Sequence, residues 1–146
     1  MKTFQKNVSD ETIIQICEIQ RQILSEKSDF DSVRSLADNG VLFFVEFDDR
    51  QNVSCFCMVK PTSDDWEIYD VATIPEYQRC GLAKKIIKEV LDFAKEKNAK
   101  KIFLEVRESN ENAIGLYSMF GFEKYAVRKN YYANNGENAV CMTKKL

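Results

Sequence analysis

The stretch Val71-Ala72-Thr73-Ile74-Pro75-Glu76-Tyr77-Gln78-Arg79-Cys80-Gly81-Leu82-Ala83 runs from apolar residues through a proline turn into a glycine, and a lysine-rich helical pattern follows. Where a strand gives way to a helix through a small-residue loop, the first helical N–H groups have no intrahelical acceptor, and the dipole adds about half a positive charge there. Such an end is an anion cradle, with phosphate as its natural guest. Gly81 lets a ligand approach the backbone without a Cβ in the way, Ala83 is the next smallest choice, and Arg79, Lys84 and Lys85 can supply full charges around the amides. The glycine spacing fits neither a nucleotide P-loop nor a dinucleotide-binding turn.

The chain has no histidine, so any acid–base chemistry falls to carboxylate, tyrosine, cysteine or lysine. Its five cysteines, Cys17, Cys55, Cys57, Cys80 and Cys141, are odd in number and form no CxxC pair, in a chain of 146 residues that needs no disulfide staple. They are expected to be reduced, the protein cytoplasmic, and no metal site is expected. Cys55 and Cys57 share one face of a strand pattern and read as packing residues.

The net charge of −2 conceals an asymmetry: residues 1–70 carry 7 Lys/Arg against 14 Asp/Glu, and residues 71–146 carry 14 against 9. The C-terminal half suits an anionic ligand, and the acidic half suits a cationic one. No apolar run approaches the roughly 20 residues of a membrane helix, and the charged start Met1-Lys2-Thr3-Phe4-Gln5-Lys6 has no signal core behind it. Neither membrane nor nucleic acid is expected as a partner, since the total charge is negative. The protein is expected to be a monomer or a homodimer.

The elements that must position these residues follow from hydrophobic period. A strand is expected near Thr3–Val8 and a helix over Thr12–Leu24 behind Ser9 and Asp10 as caps. A second helix, capped by Asp29 or Asp31, is stopped by Asn39-Gly40. Val41–Phe47 and Val53–Lys60 form a hairpin, and Trp66–Ile74 is a third long strand. From Gly81 to Lys97, Leu82, Ala83, Ile86, Ile87, Val90, Leu91, Phe93 and Ala94 make one apolar stripe. A strand at Lys101–Val106, a helix at Asn110–Met119 and closing strands at Phe122–Val127 and Ala139–Thr143 complete the order. This is an α/β (α+β) arrangement, a mixed central β-sheet flanked by helices, in a single domain spanning residues 1–146.

Gln78, Arg79, Gly81 and Ala83 match the Gln/Arg-x-x-Gly-x-Gly/Ala loop that holds the acyl-CoA pyrophosphate in the GNAT superfamily of N-acetyltransferases. The segment Ile102–Phe122 resembles that superfamily's Leu-x-Val-x-x-x-Asn-x-x-Ala-x-x-Leu-Tyr-x-x-x-Gly-Phe pattern almost position for position. Leu104-Glu105-Val106-Arg107-x-Ser109-Asn110, Arg128-Lys129-Asn130-Tyr131-Tyr132 and Asn135-Gly136-Glu137-Asn138-Ala139 further resemble the ribosomal-protein alanine N-terminal acetyltransferases of the RimI type. Residues 1–65 depart from that type: the Pro-Trp-Ser segment after the first helix is replaced by Ile23-Leu24-Ser25-Glu26-Lys27-Ser28, a region that helps shape the acceptor side.

The resemblance implies acetyl-CoA as cosubstrate and direct attack of a primary amine on its thioester. It makes Glu105 the base and Tyr117 the acid for the departing sulfur, with Glu67 as the alternative base on the acceptor side. It lays the pantetheine arm along Val71, Ala72 and Thr73 and the pyrophosphate on Gln78, Arg79, Cys80, Gly81, Leu82, Ala83 and Lys84. Asn110 binds the arm or orders its loop, and Tyr131 and Tyr132 line the acceptor channel, whereas Phe122 and Tyr125 are expected in the core. The residue types leave two other readings for these carboxylates and rings: Glu105 holding Arg107 or Arg128, and Tyr117 packing beside Leu116 and Phe120.

At pH 7 roughly one α-amine in ten is neutral but fewer than one lysine in a thousand, so an N-terminal acceptor asks for only modest help from a base. The leading expectation is therefore transfer to the α-amine of a protein N-terminus. A small amine (a polyamine, amino acid or aminosugar) is the alternative acceptor, and a CoA-binding module without turnover is the reading from a different class.

Overall fold

Ser9 accepts a hydrogen bond from the Thr12 N–H at 3.1 Å and starts α1 (Asp10–Gln22), as its cap position required. Asp29, rather than Asp31, does the same for α2 (Phe30–Asp38), accepting from Ser32 N–H at 2.8 Å. The computed structural model describes residues 3–146, so Met1 and Lys2 of the charged N-terminal segment lie outside the described residues. The strand expected over Thr3–Val8 shrinks to β1 (Phe4–Gln5); Glu89 Oε2 accepts from the Thr3 N–H and hydroxyl at 2.7 and 2.6 Å, while the Thr3 carbonyl still accepts from Val45 N–H at 2.9 Å.

The sheet has seven strands in the order β1-β2-β3-β4-β5-β7-β6, with β2 (Leu42–Phe47), β3 (Val53–Lys60), β4 (Asp65–Thr73), β5 (Lys101–Arg107), β6 (Glu123–Arg128) and β7 (Ala139–Lys145). Each expected helix and strand is present, with ends shifted by one or two residues apart from β1. Every pairing is antiparallel except β4 with β5, which the crossover helix α3 (Leu82–Glu96) joins in parallel.

Two cores lie on opposite faces of the sheet. One takes Cys55, Cys57 and Val59 of β3 with Ile86, Ile87, Val90, Ile102, Leu104 and Tyr117 under α3 and α4 (Glu111–Met119). The other takes Phe56 and Met58 of β3 with Ile13, Ile16 and Cys17 of α1. This alternation is why β3 is buried along nearly its whole length and why Cys55 and Cys57 are packing residues, as their spacing predicted. Ile86, Ile87 and Val90 are fully buried, each worth about 1.5–3 kcal/mol of apolar transfer.

The α1 core draws no buried residue from β5, β6 or β7. Their outer face is left as a shelf beside α1. Phe103 and Tyr125 lie on it in a T-shaped pair, and Tyr125, expected in the core, is 55% exposed. Phe122 is buried as expected.

Candidate active site

β4 and β5 pair only from Asp65↔Lys101 to Ile68↔Leu104. Beyond that point β4 continues with β3 as far as Thr73↔Cys55, and β5 continues with β7 as far as Arg107↔Ala139, but the two no longer pair with each other. The cause is local: the register with β3 jumps from Met58↔Asp70 to Val59↔Ile68, leaving Tyr69 as a bulge residue that adds twist to β4. The result is a gap through the sheet, edged by the backbone of Val71, Ala72 and Thr73. Unpaired strand edges accept an extended guest as a further strand.

Below the gap lies the cradle. The first helical hydrogen bond of α3 is Lys85 N–H to Gly81 carbonyl at 3.1 Å, so the Leu82, Ala83 and Lys84 N–H groups have no helical acceptor. Gly81 offers no capping side chain and the first turn holds no acidic residue. Arg79 (φ 62°) and Gly81 (φ 80°) are both left-handed, a sequence of backbone turns that makes an anion-binding concavity. Gln78 braces the loop through its Nε2 to the Thr73 carbonyl at 3.1 Å, and Cys80 is exposed beside it. Lys85 departs from expectation, since it is drawn away from the cradle into an ion pair with Glu46. Asn110 caps α4, its side-chain oxygen accepting from Ala113 N–H at 3.1 Å, so it orders the helix start.

Two candidate catalytic groups approach the gap from opposite faces. Tyr117, on α4, is 7% exposed, packs edge-on against Phe122 at 5.7 Å, and has its hydroxyl's ionisation pushed far up by burial and then by the nearby Cys57 and Asp70. It stays a proton donor throughout the working range. Glu105 is the first residue of β5 past the last β4 pair and lies on the shelf face with Arg107. Arg128 Nε approaches its carboxylate at 3.1 Å, and Glu105 is the first cause that pushes the ionisation of the Tyr131 hydroxyl up. Glu67, opposite Phe103, belongs to the stretch still zipped to β5, and its carboxyl is raised by partial burial and then by the charge of Glu105.

The loop between β6 and β7 overhangs the shelf. Arg107 holds it: the guanidinium lies 4.0 Å over the Tyr132 ring and reaches Asn134, Asn135 and Glu137 at 3.0, 3.2 and 3.4 Å. Glu137 in turn accepts from Ser109 N–H at 2.7 Å. Tyr131 and Tyr132 stand edge to face at 5.1 Å. Opposite stands the α1–α2 loop, which brings Glu26 to Asp70. Burial, then the Asp70 charge, raises the Glu26 carboxyl to about 8, with Arg107 opposing. Glu26, Asp70 and the Gln20 that holds them escaped the sequence reading, because no spacing links a loop carboxylate to one on a strand 44 positions away.

The anion cradle, the gap and the opposed acid and base candidates coincide with a match to the model of the acetyltransferase (GNAT) family over residues 11–122. The chain belongs to this family. It is an acetyl-CoA-dependent N-acetyltransferase. It is 32% identical over 138 residues, 94% of this chain and 91% of the relative, to a putative [ribosomal protein bS18]-alanine N-acetyltransferase of Bacillus subtilis (strain 168). It is 30% identical over 115 residues, 76% of this chain and 78% of the relative, to the [ribosomal protein bS18]-alanine N-acetyltransferase of Escherichia coli (strain K12). The crystal structure of the ribosomal-protein-S18-alanine N-acetyltransferase from Escherichia coli superposes with a TM-score of 0.86 at 24% identity, covering 99% of this chain and 94% of that one. A structure of the NatC complex bound to Gag peptide and CoA gives 0.85 at 21% identity, covering 100% and 99%. These likenesses establish the GNAT fold.

The cradle fits acetyl-CoA on its own chemistry: free helix N–H groups and Arg79 for the pyrophosphate, and an unpaired strand edge for the amide-bearing arm. Among the described residues no group of His, Cys, Asp and Glu is placed to hold a metal, and no helix is long and apolar enough to cross a membrane.

Proposed function

We propose that this chain acetylates the α-amine of a protein N-terminus, with the alanine of a ribosomal protein as the leading acceptor. The observation that carries the reading is the shelf itself: a sheet face beside the gap that the α1 core does not cover, with Glu105 on it where β4 and β5 part. The names of the two bacterial relatives support it. Glu105 takes the amine proton, directly or through a water, because it stands where the strands part, whereas Glu67 sits one pair inside the zipped stretch. Val71, Ala72 and Thr73 orient the thioester with their backbone groups, and Tyr117 delivers its phenolic proton to the departing sulfur. Tyr131 and Tyr132 flank the entering chain. Five unpaired cysteines, four of them buried, support a cytoplasmic setting.

The test is incubation with acetyl-CoA and two acceptor panels, peptides varied at their first two residues and common small amines, followed by thiol release and product mass. Acetyl on a peptide α-amine supports the reading. Turnover confined to small amines overturns the acceptor and leaves the transferase.

A further inference from the structure

Lys85, in the first turn of α3, is paired with Glu46 near the end of β2; the Glu46 side chain is 12% exposed and that of Lys85 42%. Glu46 lies opposite Cys55, and Cys55 opposite Thr73, so the three form one row across β2, β3 and β4 on the face that α3 covers. The row is pinned along its length. The Ser54 hydroxyl donates to the Glu46 carbonyl at 3.1 Å, the Thr73 hydroxyl to Cys55 Sγ at 3.1 Å, and Gln78 Nε2 to the Thr73 carbonyl at 3.1 Å. Glu46 is thus a fixed, little-solvated charge on a row that ends at the edge of the gap and at the residue bracing the cradle loop.

Lys85 is the partner with freedom to move. Its own N–H bonds the Gly81 carbonyl at 3.1 Å, one turn above the cradle. Long side chains on a helix lean back toward its N-terminus, so the Lys85 ammonium and the unpaired Leu82, Ala83 and Lys84 N–H groups belong to the same end of α3. Three cations stand at this loop in the sequence, and they are not equivalent. Among the described residues Arg79 and Lys84 make no ion pair, whereas Lys85 is tied to a carboxylate.

We propose that Glu46 withholds Lys85 from the cofactor pyrophosphate and thereby sets the affinity for acetyl-CoA and CoA alike at a level that lets the product leave. The pyrophosphate is unchanged by acetyl transfer, so a stronger contact there would bind substrate, transition state and product equally. Such uniform binding lowers KM without raising kcat, and it slows the departure of CoA. The cradle therefore works with its backbone N–H groups, Arg79 and Lys84, and the third cation is neutralised by the row beneath.

Glu46→Gln keeps the shape of the side chain and removes only its charge, and it leaves Lys85 partly solvated, so no buried charge is stranded. Calorimetric titration of the free enzyme with acetyl-CoA and with CoA needs no acceptor amine. Both Kd values are expected to fall about three- to tenfold, the scale of one added charge near a pyrophosphate at a protein surface. Stopped-flow release of CoA should slow by a similar factor. Adding Lys85→Met to Glu46→Gln makes the pair neutral again and should return the Kd to the wild-type value. The gain should survive with dephospho-CoA, which keeps the pyrophosphate and lacks the 3′-phosphate.

An unchanged or weaker Kd in Glu46→Gln overturns the proposal, as does a double variant that binds as tightly as Glu46→Gln. A gain lost with dephospho-CoA overturns the assignment to the cradle, and a wild-type rate of CoA release from a tighter-binding Glu46→Gln overturns the link to product departure. Should Glu46→Gln fail to fold, Lys85→Met alone exposes the cofactor to the unmasked Glu46 charge and should weaken both Kd values; unchanged values there overturn the proposal. None of these outcomes depends on which amine accepts the acetyl group.

Discussion

Arg128 and Glu105 meet at 3.1 Å across the intervening strand β7, so the candidate base is held by a cation from the strand that leads into the overhanging loop. The arginine is exposed, so the pair adds little to stability, and its effect belongs to the chemistry. Replacing Arg128 by Leu removes the group that holds the Glu105 carboxylate in place and should lower kcat/KM, while Glu105→Gln should lower it by about 10²–10⁴. Equal activity of Glu105→Gln and wild type would transfer the base role to Glu67.

Tyr117→Phe keeps the packing against Phe122 and removes only the hydroxyl. Turnover should fall tenfold or more with acetyl-CoA affinity unchanged, as expected of an acid that acts in the transition state. Calorimetric binding alongside steady-state rates checks both halves of the statement.

At Gly81 a Cβ would meet no protein atom within 4 Å, but φ is +80°. Gly81→Val therefore costs backbone strain of about 1–2 kcal/mol and places a side chain beside the unpaired N–H groups at the start of α3. A weaker Kd for acetyl-CoA, with a fall in Tm of a few degrees, is the expected pair of results. Loss of stability without loss of affinity would remove Gly81 from the cradle.

Arg107 binds the 129–138 loop and no part of the cradle. Arg107→Ala should raise the KM for the amine and speed amide exchange in that loop, leaving acetyl-CoA binding intact.

Glu137 is held down at about 2, first by the Ser109 hydrogen bonds and then by Asn135 and Arg107. A depressed folded-state value means that this anchor stabilises the loop above about 4.5, its ordinary value, and is lost as pH falls toward 2. Glu137→Gln should remove that part of the acid dependence, seen as loop amide exchange that no longer accelerates between those pH values.

The contiguous features of this protein could be read directly. Gly81 and the stripe from Leu82 to Ala94 announced a helix with a free N-terminus, because helix period and turn chemistry act over a few residues. Asn110 and Tyr117 were legible as parts of a spaced pattern, and the open choice over Glu105 closed on Arg128 rather than Arg107 only once the sheet order set β6 beside β7. Tyr125 was misjudged since an aromatic on an alternating strand does not reveal that no helix covers its face.

The amino-acid sequence alone thus determined the order of helices and strands, the uncapped helix start behind Gly81 and the family likeness, all of which rest on local periodicity or on short motifs. The tertiary structure alone decided that β4 and β5 part after Ile68↔Leu104, that Lys85 turns to Glu46, and that Gln20 brings Glu26 and Asp70 together. Those depend on bulge geometry and on burial across elements distant in the chain, where the electrostatics of a side chain is set by neighbours that its own segment does not encode.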